Sequence, residues 1–264
     1  MTRIAALLLA TTATTTALIA APTHAETAIG LTGERTLVMI DTTTATVTGS
    51  VEVQGVDRLL GIDYRPATMA VIGVTADQAI VVIDPMTGTT TALSDMAVKL
   101  DIATDAPVIV DVNPAADRLR FMSGLTNHRI NMDTGDVTVD GALNWEPGDA
   151  NAATPPMVAA TGYTNSYGTP EKTQMFNIDS GLSALLQQTA PNDGTNKTIG
   201  TLGVTLQGPV ALDVATDAAG TNTVWLAANG GLHTVDLASG AVTQSWAITG
   251  TDMPLRDLTV LPAQ

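Results

Sequence analysis

The chain has 264 residues, with 11 Lys and Arg against 26 Asp and Glu, no Cys, and a formal net charge of −15. This acidic balance disfavours binding to nucleic acid and to anionic lipid surfaces, which require clustered basic side chains. The lack of cysteine excludes disulfides and a lipid-anchored cysteine. Abundant Thr, Val and Gly with few Lys favours strands over helices.

Residues 1–25 have the pattern of an export signal. Arg3 gives a short basic region, an apolar stretch follows, and residues 23–25 (THA) supply the small-x-small pattern that signal peptidase cuts. Threonines at 11–16 make the segment too polar for a durable membrane anchor, and no second apolar run of about 20 residues follows. We therefore expect an exported chain, periplasmic or secreted, that begins at Glu26 and does not insert into the membrane. Loss of Arg3 takes its net charge from −15 to −16.

A repeated hairpin pattern runs through residues 26–264: alternating apolar residues, an Asp, a short Thr/Ser/Gly turn, and a second alternating strand. The turn aspartates of the five copies are Asp41, Asp84, Asp133, Asp179 and Asp236. An Asp at the first turn position accepts hydrogen bonds from backbone N–H groups two or three residues later, so a structural role is expected for each. Their spacings suit propeller blades of four strands, which need roughly 40 to 50 residues each.

A second strand motif precedes most of the hairpins, as at 60–66 (LGIDYRP), 110–114 (VDVNP) and 211–214 (ALDV). The chain ends on a similar strand without a hairpin and begins with a hairpin that lacks this strand. We therefore predict an all-β fold, a single β-propeller of about five four-stranded blades, closed by the C-terminal strand joining the N-terminal hairpin. A large β-sandwich is the alternative. The one helix candidate, 182–188, fits a strand nearly as well.

Sequence signatures of catalysis are missing. The chain has no G-x-S-x-G elbow, no H-E-x-x-H pair, no phosphate loop and no dinucleotide fingerprint. The two histidines after residue 25, His128 and His233, lie in or beside predicted strands, where a structural role is favoured over general-base catalysis. Calcium is the one metal that the composition permits, through the acidic loops 146–151 and 192–196. Neither loop matches the EF-hand pattern, and turns without an ion are the favoured interpretation.

Three aspartates are candidate ligand-binding residues. Asp63, Asp111 and Asp213 each follow an apolar residue in what we take as the equivalent strand of successive blades. If these strands are innermost, the carboxylates surround the channel, where by analogy with hydrolytic propellers they would bind a cation or activate water. The competing interpretation is that each Asp caps a turn or pairs with a neighbouring Arg.

Two arginines form a second candidate set. Arg118 and Arg120 alternate along one strand and so project from the same face. In a chain this acidic we expect them to pair with Asp111, Asp117 or Asp133 as structural ion pairs. The alternative is that they hold an anionic ligand.

Several segments together resemble a family of uncharacterised exported bacterial proteins classed as a domain of unknown function. The matching stretches are 28–33 (AIGLTG), 61–66 (GIDYRP), 111–120 (DVNPAADRLR), 139–144 (VDGALN), 147–151 (PGDAN) and 191–196 (PNDGTN). The chain departs from the family at 79–82 (AIVV), where similar proteins often carry a Tyr. The resemblance implies export and propeller-like β repeats, and it brings no activity, cofactor or catalytic residue.

These observations favour a non-enzymatic binding or scaffolding protein of the bacterial cell envelope or medium. Its partner would be another envelope protein or an extracellular ligand, and no cofactor is expected apart from the calcium considered above. The alternative is a divalent-cation-dependent hydrolase or lyase that acts from the propeller channel through Asp63, Asp111 and Asp213.

Overall fold

The computed structural model describes residues 26–104 and 106–262. These ranges contain twenty-one strands, joined by turns and loops, and no helix. No helix that could cross a membrane occurs within them. Residues 1–25, where we predict an export signal, lie outside these ranges. The strands are β1 (Thr27–Thr32), β2 (Thr36–Asp41), β3 (Thr46–Glu52), β4 (Leu59–Arg65), β5 (Ala70–Thr75), β6 (Ala79–Ile83), β7 (Thr90–Asp95), β8 (Val108–Asn113), β9 (Arg118–Ser123), β10 (Thr126–Ile130), β11 (Val137–Val139), β12 (Asn144–Trp145), β13 (Val158–Tyr163), β14 (Met175–Asp179), β15 (Ala184–Ala190), β16 (Thr195–Thr201), β17 (Ala211–Thr216), β18 (Asn222–Ala228), β19 (Gly231–Val235), β20 (Val242–Ala247) and β21 (Leu255–Leu261).

The strands form five sheets that are the blades of a propeller. In order from the innermost strand, they are blade 1 (β21-β1-β2-β3), blade 2 (β4-β5-β6-β7), blade 3 (β8-β9-β10-β11), blade 4 (β13-β14-β15-β16-β12) and blade 5 (β17-β18-β19-β20). The innermost strand of each blade contacts those of both neighbouring blades, so these five strands surround a central channel. The predicted five-bladed propeller is confirmed, and the sandwich alternative is wrong.

The ring is closed within blade 1, as predicted. β21 pairs antiparallel with β1, with Thr27 opposite Leu261 at one end and Thr32 opposite Leu255 at the other. The last strand of the chain therefore becomes the innermost strand of the blade that the first three strands begin. This closure pairs a strand edge that would otherwise be open to other chains.

The hydrophobic core consists of five clusters, one at each interface between neighbouring blades. At the interface of blades 2 and 3, for example, Ile72 of β5 belongs to the same cluster as Phe121 of β9. Each blade is thus covered on both faces. The middle strands are consequently apolar on both sides, which explains nearly continuous apolar runs such as AIVVI in β6.

Most of the predicted Asp turns connect the third and fourth strands of a blade. Asp84 accepts hydrogen bonds from the backbone N–H groups of Met86 (2.8 Å) and Thr87 (3.3 Å), and Asp41 and Asp236 make the equivalent pairs. Gly88 in this turn has a φ of 71°. A Cβ atom there would also collide with the backbone of Glu52 in the preceding blade, so glycine is required for conformation and for blade packing.

Two of the five turn copies differ from the expectation. In blade 3 the turn position is held by Asn131, whose side-chain oxygen accepts from the N–H of Asp133 (3.1 Å), so the assignment of Asp133 as the turn acceptor is wrong. Asp179 connects the second and third strands of blade 4 rather than the third and fourth. Its carboxylate accepts from the N–H groups of Met157 and Leu182. The blade count is right because each blade still contains one such copy.

The helix candidate 182–188 lies largely within strand β15. The next strand, β16, is the fourth strand of blade 4, and the two-residue strand β12 pairs with it in parallel.

Candidate functional site

One layer of the channel is formed by one residue from each innermost strand: Asp63, Asp111, Tyr163, Asp213 and Thr259. All five line the same small cavity of about 10 Å³, which is roughly the space that one water molecule requires. The structure therefore brings the three predicted aspartates together, and it adds Thr259 at the equivalent position of blade 1 and Tyr163 from blade 4. The channel is filled by these side chains at this level rather than forming an open pore.

Asp63 and Asp213 connect neighbouring blades. The Asp63 carboxylate accepts a hydrogen bond from the N–H of Tyr64 (2.7 Å) and another from Val112 in the next blade (2.6 Å). Asp213 does the same with Val214 and with Val260 in the next blade, both at 2.6 Å. Each carboxylate therefore supplies acceptors to two buried backbone donors that belong to different blades. This role is structural, but it is neither the turn cap nor the Arg pair that the sequence suggested as the competing interpretation.

A fourth channel carboxyl, Asp257, lies two residues before Thr259 on β21 and so faces the same side, nearer the start of the strand. It accepts from the N–H of Leu258 (3.0 Å) and from Ile62 of blade 2 (2.8 Å). Sequence reasoning missed Asp257 as a channel residue, although the same Asp-apolar pattern was visible there. Thr259 donates its hydroxyl hydrogen to Asp63 (2.8 Å), so the threonine that replaces a carboxyl in blade 1 bonds to the carboxyl of blade 2.

Burial raises the pKa of all four channel carboxyls above the ordinary aspartate value. The pKa of Asp213 rises to about 6 and that of Asp257 to about 8, with their backbone N–H partners opposing the rise. For Asp63 and Asp111 burial raises the pKa well above its usual range, and neighbouring carboxyls raise it further. The channel therefore holds bound protons near neutral pH rather than four negative charges.

Asp111 differs from the other channel carboxyls because none of the described residues donates a hydrogen bond to it. It stands directly across the β8–β9 ladder from Arg120. The Arg120 charge lowers the pKa of Asp111, but burial and the Asp63, Asp213 and Asp257 carboxyls outweigh it. Asp111 is thus the channel carboxyl that remains without a donor.

Arg120 belongs to a buried polar network between blades 3 and 4. Its side chain is 2% exposed, and its guanidinium donates to Asp140 (2.8 Å), Asn127 (2.7 Å) and the Tyr163 hydroxyl (3.2 Å). Arg129 also pairs with Asp140, at 3.1 Å. Arg120 therefore forms a structural ion pair within blade 3, and its hydrogen bonds to Tyr163 and Asn192 join this blade to blade 4.

The expected partners of the two arginines are wrong. Arg120 pairs with Asp140, and among the described residues Arg118 forms no ion pair; it donates instead to the backbone carbonyl of Asp117 (2.9 Å). Asp117 and Asp133 both pair with Arg65, at 2.6 and 2.7 Å. Sequence reasoning missed Arg65, which comes from the preceding blade, because nothing in the local pattern indicates which blades meet.

The two loops considered for calcium are occupied by protein contacts. Asp149 accepts from the N–H groups of Asn151 (2.9 Å) and Thr198 (2.7 Å), and the Asn192 side chain accepts from Arg120 (3.3 Å). Within residues 26–104 and 106–262, no group of three or more His, Asp or Glu side chains is arranged to hold a metal ion. The histidines occupy strands, His128 in β10 and His233 in β19, where His233 bonds to a serine hydroxyl.

A large cavity, which we call the cleft, has a volume of about 1050 Å³ and lies on the face where the innermost strands end. Tyr64 and Leu261, at the ends of β4 and β21, form part of its wall. The loop after β13 contributes Ser166 and Tyr167, and Met69 of blade 2 stands at the rim. Tyr64 and Ser166 also line the small channel cavity, so the cleft lies directly over this mouth of the channel.

The cleft is apolar and nearly uncharged. Its lining residues are Tyr64, Pro66, Met69, Ala70, Val71, Val82, Ile83, Asp84, Pro85, Thr87, Thr89, Thr91, Ser166, Tyr167, Gly168, Leu261 and Pro262. No His, Lys or Arg occurs among them, and the one carboxylate, Asp84, is engaged by its own turn. Met69 is 80% exposed and Tyr167 is 47% exposed, which leaves two large apolar side chains available for contact.

Comparison with known proteins agrees with the fold. The chain is similar to a protein of unknown function from Bacteroides thetaiotaomicron VPI-5482, at 12% identity over 92% of this chain and 68% of that one, with a TM-score of 0.50. It is also similar to a protein of unknown function from Bacteroides caccae (11% identity, 86% and 75% coverage, TM-score 0.42). A third is an auxiliary nutrient binding protein from Bacteroides ovatus ATCC 8483 (13%, 75% and 55%, TM-score 0.45). At these identities the likeness concerns the fold alone.

No protein with curated function matches the chain. Residues 36–259 match the family described as a domain of unknown function, DUF4394, over most of the chain and across all five blades. This match confirms the expected resemblance to a family of unknown function, and the chain belongs to the DUF4394 family.

Proposed function

We propose that this chain is a non-enzymatic binding protein of the bacterial cell envelope or medium, and that the cleft binds an uncharged, apolar segment of another envelope protein. The observation that carries the proposal is a cavity of about 1050 Å³ with exposed Met69 and Tyr167 and no basic side chain in its lining. Residues 1–25, with the pattern of an export signal, support the compartment.

The size and chemistry of the cleft favour a polypeptide segment over a small molecule. Pockets for small molecules have volumes of roughly 300–1000 Å³, and the cleft, at about 1050 Å³, lies at the upper end of this range, with room for several peptide side chains. Methionine side chains are flexible and polarizable, and they recur on surfaces that bind apolar peptide segments. The hydroxyls of Thr87 and Ser166 and the Tyr64 ring add polar groups without adding charge, which suits a neutral partner.

The hydrolase alternative has less support. Asp63 and Asp213, two of the three carboxylates that it requires, direct both oxygens at backbone N–H groups, and the raised pKa of Asp63 disfavours its anionic form near neutral pH. A general base or metal ligand needs a free lone pair directed at substrate or ion. Asp111 alone among the predicted three lacks such donors, and one carboxyl does not form a catalytic pair.

The proposal is tested with a displayed library of random dodecapeptides, selected against the purified exported protein, followed by affinity measurement on synthetic copies. We expect the selected peptides to be apolar and uncharged. Met69→Glu should weaken their binding by about 10-fold or more, because burying a Met side chain contributes roughly 1.5–3 kcal/mol and a buried carboxylate opposes binding.

The matched control is Met253→Glu. Met253 is also exposed, at 53%, but belongs to the loop before β21, on the opposite face of the propeller. Its substitution should change the affinity less than about twofold, as expected for a residue outside the interface. Failure to enrich any peptide, or equal effects of the two substitutions, would reject the cleft as the binding site.

A further inference from the structure

A second cavity, of about 420 Å³, lies at the opposite mouth of the channel, where the innermost strands begin. All five blades contribute to it. Leu60, Val108 and Val210 give it an apolar wall, while Arg58 and Arg256 supply two guanidinium groups at one side. No acidic side chain occurs among its described lining residues. We call this cavity the arginine mouth.

Arg256 is fixed in place by backbone carbonyls rather than by a carboxylate. Its Nε donates to the carbonyl of Gly33 (2.6 Å), and its Nη2 donates to those of Leu59 (3.0 Å) and Glu34 (3.2 Å). No Asp or Glu of the described ranges forms an ion pair with it. The remaining N–H groups of the guanidinium, on Nη1, have no acceptor among the described residues.

Among the described residues, the positive charge at this mouth is only partly balanced. Burial, and after it the charge of Arg58, lowers the pKa of Arg256, while Asp257 and Glu34 oppose the decrease. The adjacent Asp257 carboxyl has a pKa of about 8 and therefore keeps its proton at neutral pH. Glu34 pairs with Arg58 at 3.3 Å, but both side chains are largely exposed and such pairs are weak. A chain of net charge −15 thus holds two cations together beside an apolar cavity.

We propose that the arginine mouth binds a small organic monoanion, a carboxylate with an apolar body, with its head on Arg256 and Arg58 and its body against Leu60, Val108 and Val210. The fixed guanidinium offers preorganised donors of the kind that bind carboxylates. The cavity volume lies within the range of small-molecule pockets, roughly 300–1000 Å³. This site is on the opposite face from the cleft, and it does not depend on the function proposed there.

The test uses hexanoate as probe, with its neutral analogue hexanamide and inorganic phosphate for comparison, in calorimetric titrations of the purified exported protein. We expect hexanoate to bind and hexanamide to bind at least about 10-fold more weakly, because a hydrogen bond to a charged group contributes more than a neutral one. Phosphate should also bind more weakly than hexanoate, since it cannot use the apolar wall.

Two variants locate the site. Arg256→Gln should weaken hexanoate binding about 10-fold or more, and Arg58→Gln, whose side chain is exposed and tolerant of change, should weaken it about threefold or more. The matched control is Lys172→Gln, which removes an equal charge from an exposed side chain in the loop between β13 and β14, on the opposite face, and should leave binding unchanged. Absence of hexanoate binding, equal binding of hexanamide, tighter binding of phosphate, or insensitivity to Arg58→Gln would each overturn the proposal.

Discussion

The raised pKa of Asp257 makes the stability of the propeller depend on pH in a direction opposite to that of most buried ion pairs. Its carboxyl titrates at about 8 in the folded chain, against roughly 3.9 for an aspartate in an unfolded chain. Between these values the folded chain holds a proton that the unfolded chain has lost. The contribution of the protonated Asp257 carboxyl to the free energy of unfolding is therefore fully present below pH 4 and is lost progressively as the pH rises through 8.

The magnitude follows from proton linkage. One group in this window changes the free energy of unfolding by about 1.4 kcal/mol per pH unit, so the Asp257 contribution decreases by about 3 kcal/mol between pH 5 and 7. Asp213 acts in the same direction up to its pKa of about 6. His128, whose pKa is lowered by burial, acts in the opposite direction below about pH 6.5. The wild-type chain is therefore compared with a variant that changes Asp257 and retains both Asp213 and His128.

Asp257→Asn provides that comparison in urea unfolding followed by circular dichroism at pH 5, 6 and 7. The amide cannot lose a proton, and its NH₂ group would face the N–H of Leu258 or Ile62. The variant should therefore be less stable at pH 5, by about 1–3 kcal/mol. The difference from the wild-type chain should then decrease by about 1.4 kcal/mol per pH unit. Stability curves that run parallel from pH 5 to 7 would refute a raised pKa at Asp257.

Three further predictions concern the buried Arg120 ion pair, the binding of divalent ions and the N-terminus of the exported chain. Arg120→Ala should destabilise the chain by about 3–5 kcal/mol in urea unfolding, because it leaves Asp140 buried without its closest partner. Arg58→Ala, in the exposed pair with Glu34, should change stability by less than about 1 kcal/mol, and similar values for both would contradict the buried network. A thermal melt with EDTA and then with Ca²⁺ or Mg²⁺ should show no ion-specific shift, whereas stabilisation by about 2.7 kcal/mol at 100 times the dissociation constant would indicate a metal site and revive the cation-dependent alternative. Mass spectrometry of the exported protein should give an N-terminus at Glu26, and an intact Arg3 in the exported chain would reject the predicted signal.

Local sequence patterns predict the blades well because each hairpin is specified within about ten residues. An Asp followed by a Thr/Ser/Gly turn fixes its own hydrogen bonds, as at Asp41 and Asp236, and the spacing of such turns gives the blade number. The pattern fails at Asp133 because Asn131, two residues earlier, performs the same role. Both residue types accept the same backbone bonds, so the sequence alone leaves this register ambiguous.

Contacts between blades are less predictable. Asp63, Asp111 and Asp213 are recognisable as a set because they share one strand position, but the second donors to Asp63 and Asp213, which are Val112 and Val260, come from the next blade. Arg65 and Arg120 show the same difficulty, since their carboxylate partners are 20 to 68 residues away along the chain. The arginine mouth likewise assembles residues from all five blades. Such sites require the ring geometry before their members can be identified.

Site-specific photocrosslinking in the exporting bacterium shows directly whether the cleft binds another envelope protein. A photoreactive amino acid replaces Tyr167 in one variant and Met253, on the opposite face, in the other. We expect a discrete, protease-sensitive adduct from position 167 that disappears when Met69→Glu is added, and none from position 253. An adduct of equal yield from both positions, an adduct that survives protease, or no adduct at position 167 would contradict this expectation.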